Sequence, residues 1–412
     1  MTLKARLDQL QSQAGTRPLS RQGAQTSSGT SSLHERLAGF RAERVHGTQP
    51  KLNPRQNDEQ LATQLGGRVV SEGLVRIEKT LPFEQRLGNT SLQVLDRIQS
   101  LPGESEPTTG IYIDTETTGL AGGSGTLAFL IGIATIRQSE IRLVQFLMTR
   151  YDAEGAMLSA FEQSLPAGHD FVSYNGKSYD IPLLLTRFRM QGMDKGCLER
   201  SHLDLLHPVR RLFSKQWNDC RLTTVEQQLL DFHRRGDLPG SEAPEAWFNY
   251  LRYGYAQNLA KVVRHNQQDI VSLAVCHALL GRVVRKPDYY RADIHNLARW
   301  ISEQCESEAI GVLESHAEKL CSDGRRLLAL LYRRQNRWDD ALPLWEALAQ
   351  QRCIESIEKL AKYHEHVSKD LQMALEYSCR LPGAEADLHR IRRIRQKLAA
   401  ANMNRTIGIS LR

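Results

Sequence analysis

Three strand-like runs follow one another after residue 108, GIYIDTETTGL, TLAFLIGIATI and EIRLVQFLMTR, with only Gly-, Ser- and Gln-containing turns between them. Runs this apolar and this closely spaced read as strands in meander. The periodicity then changes. Met157, Leu158, Phe161 and Leu165 recur at helical spacing over 153–165, HDFVSYNG is again strand-like, and SYDIPLLLTRFRMQG is helical. SHLDLLHPVRRLF reads as a short strand running into a helix. Strands in meander followed by strands alternating with helices predict an α/β domain, a mixed sheet with helices on its faces.

The remainder of the 412 residues divides by composition. Residues 1–65 are rich in Gln, Ser, Thr, Gly and Arg and read as a flexible basic arm. The stretch 68–88 alternates loosely and predicts a small strand pair. From about 290 to 400 the pattern is helical throughout. Ala329, Leu330, Tyr332, Trp338, Ala341, Leu344 and Trp345 fall where paired helices of a tetratricopeptide array pack, and Leu360, Ala361, Tyr363, Leu371, Ala374 and Tyr377 repeat them. Ala341 and Ala374 are 33 residues apart, close to the period of about 34 of such arrays. The seven cysteines include no Cys-x-x-Cys pair, which excludes a zinc ribbon and fits a reducing compartment. No uninterrupted apolar run is long enough for a membrane span or a signal peptide, so a cytoplasmic protein with no membrane contact is expected.

The chemistry concentrates in acids. Asp114 and Glu116 stand two apart on the strand beginning Ile111-Tyr112-Ile113, so both carboxylates face one side. Left alone they repel. A hard cation with oxygen ligands, Mg2+ or Mn2+, would relieve that repulsion; a solvated strand end would also tolerate it. Asp180 opens a helix, either to satisfy its first N–H groups or as a third metal-site acid. His265 and Asp269 are four apart on a helix whose buried face is Val263, Ile270, Leu273, Ala274 and Leu280, so they share a face. Four acids and one His are the parts needed for phosphodiester hydrolysis with two metal ions about 4 Å apart.

YIDTETTGL, SYNGKSYDIPLL and HNQQDIVSL resemble the three motifs of the ribonuclease-H-like, DEDD-type 3′–5′ exonucleases. With TLAFLIGIA, CRLTTVEQQLL and DLPGSEAPEAWFNYLRYG they are closer still to the YprB-type proteins of that superfamily, in which a tetratricopeptide tail follows the nuclease-like domain. The resemblance implies Asp114, Glu116, Asp180 and Asp269 as ligands of two Mg2+ or Mn2+ ions and His265 as general base. In the family a His base stands five before the last Asp and a Tyr base four before it; here a His stands four before. The expected organisation is a flexible arm over 1–65, a ribonuclease-H-like domain over 66–285, a tetratricopeptide-like all-α domain over 286–400 and a flexible tail over 401–412.

The expected partner is DNA or RNA, with a protein partner open to the helical repeats. Thr117, Thr118, Asn175 and Tyr179 are candidate contacts for the terminal nucleotide; each also has a local role, in a turn or in packing. Asp204 reads first as an acid that supports the site's acids from behind or as a structural one. LAGGSGT lacks the GxxxxGK[ST] pattern of a phosphate loop and reads as a flexible turn. Arg210, Arg211, Lys215 and Arg221 could follow a phosphate backbone or lie on solvated helix faces. The tail from 388 carries seven Lys and Arg and no acid, which suits a nucleic-acid contact or a solubilising cap. Net charge is +7, yet 1–60 and 388–412 supply +4 and +7, so the body between them sums to about −4 and its acids would need metal before holding a phosphate. A catalytically silent nucleic-acid-binding module and a repeat-based scaffold are the rival readings.

Overall fold

The computed structural model describes residues 57–104, 106, 110–119, 125–383 and 385–409. Most of the expected arm and the glycines of LAGGSGT at 122 and 123 lie outside the described residues. The chain forms two compact units. The first takes described residues of 57–96, 110–206 and 217–276, and the second those of 97–106, 207–216 and 277–409.

The first unit begins with helix α1 (Asp58–Leu65), inside the stretch read from composition as arm. Asn57 and Gln60 explain it. The Asn57 side chain accepts from Gln60 N at 2.8 Å and the Gln60 side chain accepts from Asn57 N at 3.2 Å, a reciprocal cap. Leu61 and Ala62 are buried beneath it.

Strands β1 (Gly67–Ser71) and β2 (Leu74–Pro82) form the expected pair, but they join a larger sheet. A two-stranded sheet of β3 (Arg86–Leu87) and β4 (Thr90–Ser91) follows. Then come β5 (Gly110–Thr117), β6 (Ala128–Arg137), β7 (Glu140–Met148), α2 (Glu154–Ser164), β8 (Asp170–Ser173), α3 (Asp180–Met190) and β9 (His202–Asp204). The seven-stranded sheet has the order β1-β2-β7-β6-β5-β8-β9. Its meander half is antiparallel, whereas β8 runs parallel to both β5 and β9. The carboxyl ends of β5, β8 and β9 therefore meet at one edge, where open α/β sheets place their ligands.

Helix α4 (Leu206–Phe213) leads into the second unit, and α5 (Leu222–Leu229), α6 (Ala243–Tyr253) and α7 (Ala256–Arg285) follow. The first seven residues of β6 are buried without a break, as expected of a central strand covered on both faces. Trp247 of α6 stacks on Phe129 at 5.1 Å and donates to the Met148 carbonyl at 2.6 Å.

Gly132 is where α7 meets the sheet. A Cβ on Gly132 would lie 2.1 Å from Asn266 Oδ1 and 2.4 Å from Ile270 Cδ1. Gly132→Ala is expected to cost about 1–3 kcal/mol by overpacking, read as a lower urea midpoint; an unchanged midpoint would contradict the close approach.

The second unit is helical, and among the described residues no helix is long and apolar enough to cross a membrane. Consecutive helices pack on one another: α8 (Ile294–Ser302) on α9 (Glu306–Ser315), α10 (Ser322–Arg334) on α11 (Trp338–Gln350), and α12 (Ile354–His366) on α13 (Leu371–Cys379). Ala341 and Ala374 are fully buried at equivalent places in α11 and α13. The last helix, α14 (Glu385–Ile409), continues into the stretch expected as a tail. Arg393 grips buried Glu365 through two bonds of 2.8 Å and Lys397 adds one of 2.9 Å. Two of the basic side chains considered for nucleic acid thus fasten α14 to α12.

Those two cations hold the Glu365 carboxyl at about 2, below its ordinary 4.5. A lowered folded pKa stabilises above the unfolded value, and that stabilisation is lost as pH falls from 4.5 through 2. Glu365→Gln should flatten the acid limb of stability against pH in that window; an unaltered limb would contradict the pairing.

Candidate active site

The sheet edge gathers the acids. Asp114 pairs across to Gly132 and Glu116 to Leu130, so both carboxylates project on the same side of β5. A register shift after Glu116 marks the end of regular pairing. Beyond β8, Asn175 takes a left-handed turn with φ 69°. The Asp204 carboxylate holds that turn, accepting from Asn175 N at 2.7 Å, Lys177 N at 3.1 Å and Leu206 N at 3.1 Å. Asp204 is therefore a structural acid, and the turn it braces delivers Asp180 to the start of α3. Thr115 Oγ1 donates to Asp180 Oδ1 and links β5 to α3.

Helix α7 supplies the other wall. Asn266 Nδ2 donates to Asp114 Oδ2 at 2.7 Å and to the Asp114 carbonyl at 3.2 Å. Gln145 of β7 donates to Asn266 Oδ1 at 2.7 Å, and Gln267 donates to Gln145 Oε1 at 2.7 Å. With Asn266 fixed, the four-residue spacing turns His265 Nε2 toward Asp269 Oδ2 at 3.3 Å. His265 Nδ1 meets both oxygens of Asp237 at 2.8 Å.

Arg234 lies behind this wall, its side chain 8% exposed. It donates to both oxygens of buried Glu226 at 2.7 Å, to Asp237 at 3.0 Å and to Asp269. Ser272 Oγ also donates to Glu226.

The charges of the acids are crowded together. Burial, with the charges of Asp269, Asp180 and Glu116, pushes the Asp114 carboxyl well above its usual range, against the Asn266 amide. Burial raises Glu116 to about 8, with Asp269, Asp180 and Asp237 adding to it and His265 opposing. Burial likewise raises Asp180 to about 6, against the Thr115 hydroxyl. Burial works to lower the His265 pKa, but Asp269 and Asp237 outweigh it and hold the ring at about 9. His265 thus lies between two carboxylates, while Arg234 Nη1 also approaches its Nδ1 at 3.2 Å.

Ionised carboxylates held this way oppose folding until something positive neutralises them. Their donors are all oxygen and their burial excludes water, which fits a hard divalent cation. Among the described residues no three such side chains are arranged to hold an ion as they stand. Asn266 engages Asp114, Thr115 engages Asp180, and Arg234 engages Asp269.

Asp114, Glu116, Asp180, Asp269 and His265 are thus brought together. The four residues considered for substrate flank them, with local duties. Thr117 Oγ1 donates to the Gly119 carbonyl at 3.1 Å, and Thr118 Oγ1 accepts from Leu127 N at 3.0 Å. Asn175 forms the turn, and Tyr179 is 52% exposed beside Asp180. The basic residues Arg211, Lys215 and Arg221 are in ion pairs with Glu303, Asp293 and Asp219. Sequence reasoning missed Arg234, Asp237, Glu226, Thr115, Asn266 and Gln145. Of these only Asn266 carried a signal, a polar side chain one residue along from His265 on a helix against an apolar strand.

Residues 111–280 match the model of the RNase_H superfamily, so the sheet is that of a ribonuclease-H-type domain. Over 277 residues the chain is 33% identical to the uncharacterized protein YprB of Bacillus subtilis strain 168, covering 64% of this chain and 67% of that protein. The chain belongs to that family of the RNase H superfamily.

Arg234→Met would leave Glu226 buried without its cation, at an expected cost of about 3–5 kcal/mol. Adding Glu226→Gln should recover part of the loss in urea denaturation. A double variant no more stable than Arg234→Met alone would contradict the pairing.

Proposed function

We propose that this chain is a metal-dependent nuclease that hydrolyses phosphodiester bonds of DNA or RNA from the 3′ end. The observation that carries the reading is the convergence of Asp114, Glu116, Asp180 and Asp269 at one sheet edge, with carboxyl pKa values raised in three of them. Ribonuclease-H-like nucleases generally use divalent metals, and membership of that superfamily supports a nucleic-acid substrate. The four acids would hold Mg2+ or Mn2+, two ions by the DEDD pattern. Divalent ions there supply positive charge for the phosphate in its transition state and make water easier to deprotonate.

The chain's own residues supply the rest. Asp237 fixes the His265 ring through Nδ1, which leaves Nε2 on the side of the acids to take the proton of the attacking water. A base must be neutral, so His265 serves only when the charge of Asp269 is engaged elsewhere. Asn266 and Thr115 orient Asp114 and Asp180. Thr117, Thr118, Asn175 and Tyr179 would border the terminal nucleotide, with the exposed Tyr179 ring free to stack on a base. The helix pairs α10–α11 and α12–α13 we read as tetratricopeptide-like units, which the 33-residue offset of Ala341 and Ala374 supports.

One observation favours a second reading. Arg234 holds Asp269 as a salt-bridge partner, as it would in a catalytically silent nucleic-acid-binding module. A single comparison separates the two. Mn2+ or Mg2+ should raise the Tm of the unaltered chain and support cleavage of a 3′-labelled strand. Asp114→Asn should lose the metal-induced shift and about 100-fold or more of the cleavage, with the circular dichroism spectrum kept. Full cleavage by Asp114→Asn would sink the site assignment. Strand binding without turnover at any metal concentration would establish the silent module.

A further inference from the structure

The second unit contains a cavity of about 460 Å³ lined by Gln99, Arg282, Arg285, Lys286, Tyr289 and Tyr290. That volume lies within the range of about 300–1,000 Å³ typical of small-molecule sites. Arg282, Arg285 and Lys286 crowd the end of α7 at spacings of three and four, where like charges repel. Cations are favoured at a helix carboxyl end, which accounts for part of their presence. It does not account for the company they keep.

No acid lines the cavity. Asp288, the acid closest to it in sequence, is turned to Lys319 and His316 instead. Among the described residues none of the three cations is in an ion pair. Tyr289 is 79% exposed and meets the Tyr290 ring edge-on, with centroids 4.9 Å apart. Gln99 Oε1 is buried without a hydrogen-bond partner, at a wall where Gly281 lets the Gln99 backbone press against α7.

Unpaired cations beside an open aromatic face match a strand of alternating phosphates and bases. We propose that this cavity binds single-stranded nucleic acid, with phosphates on Arg282, Arg285 and Lys286 and a base stacked on Tyr289. The choice of polymer rests on the nuclease reading. The site itself uses none of the proposed catalytic residues.

The test uses the full chain in EDTA, where metal-dependent cleavage is silent, and follows anisotropy of labelled oligo-dT and oligo-U. The triple variant Arg282→Gln, Arg285→Gln, Lys286→Gln should bind about tenfold or more weakly. Its slope of log affinity against log salt should fall by about 2, as losing three single-strand phosphate contacts requires. Tyr289→Ala should also lose about tenfold, while Tyr289→Phe keeps the affinity. Inorganic polyphosphate should compete less well with the triple variant than with the unaltered chain, yet equally with Tyr289→Ala.

Unchanged oligonucleotide affinity in the triple variant, with the fold intact by circular dichroism, would overturn the proposal. So would loss of binding to phosphatidylserine vesicles alone, which would assign the patch to a membrane surface. The binding shifts without any metal-dependent cleavage by the unaltered chain would remove the nuclease reading and leave this site standing. Cleavage with no binding shift would do the reverse.

Discussion

The close approach of α7 to the central strand at Gly132 sets the geometry of everything around the acids. Gly132 pairs with Asp114 on one side and with Gln145 on the other. The missing side chain lets Asn266 descend between them and bond to both. Asn266 thereby fixes the rotation of α7 about its own axis. His265 lies one position away, about 100° round the helix, and Asp269 one turn further along, so that rotation aims both at the end of β5.

Once this contact forms, the fold must hold several carboxylates where water is scarce. Asp114, Glu116 and Asp180 all have raised pKa values, so the site opposes folding at neutral pH while its acids are ionised and unneutralised. Arg234 offsets part of that cost from behind. It satisfies Glu226, Asp237 and Asp269 together, and through Asp237 it braces the His265 ring. The same contact engages the one acid that α7 contributes to the proposed metal site. Arg234 is thus both the support of the wall and the competitor for its ligand.

Much of this was legible in the sequence where the pattern is local. Closely spaced apolar runs marked β5, β6 and β7, and two-residue spacing put Asp114 and Glu116 on one side. Four-residue spacing put His265 and Asp269 on one face of α7, and the structure has them 3.3 Å apart. What stayed hidden depends on partners distant in the chain. Arg234 sits on an irregular segment with no periodicity, and its meaning comes from Glu226 and Asp269 folding onto it. The pair β1–β2 looked like a separate hairpin because its pairing with β7 spans some 70 residues of sequence. Helix α1 was masked by a Gln-rich neighbourhood, although Asn57 and Gln60 spell a capping box.

If these acids hold metal as proposed, Arg234 must release Asp269. A crystal structure of the chain with Mn2+, phased at the manganese edge, tests it most directly. The account predicts anomalous density among Asp114, Glu116 and Asp269, with the Arg234 guanidinium withdrawn from Asp269 and still forked on Glu226. Arg234 remaining on Asp269, with no anomalous density at the carboxylates in saturating Mn2+, would contradict it.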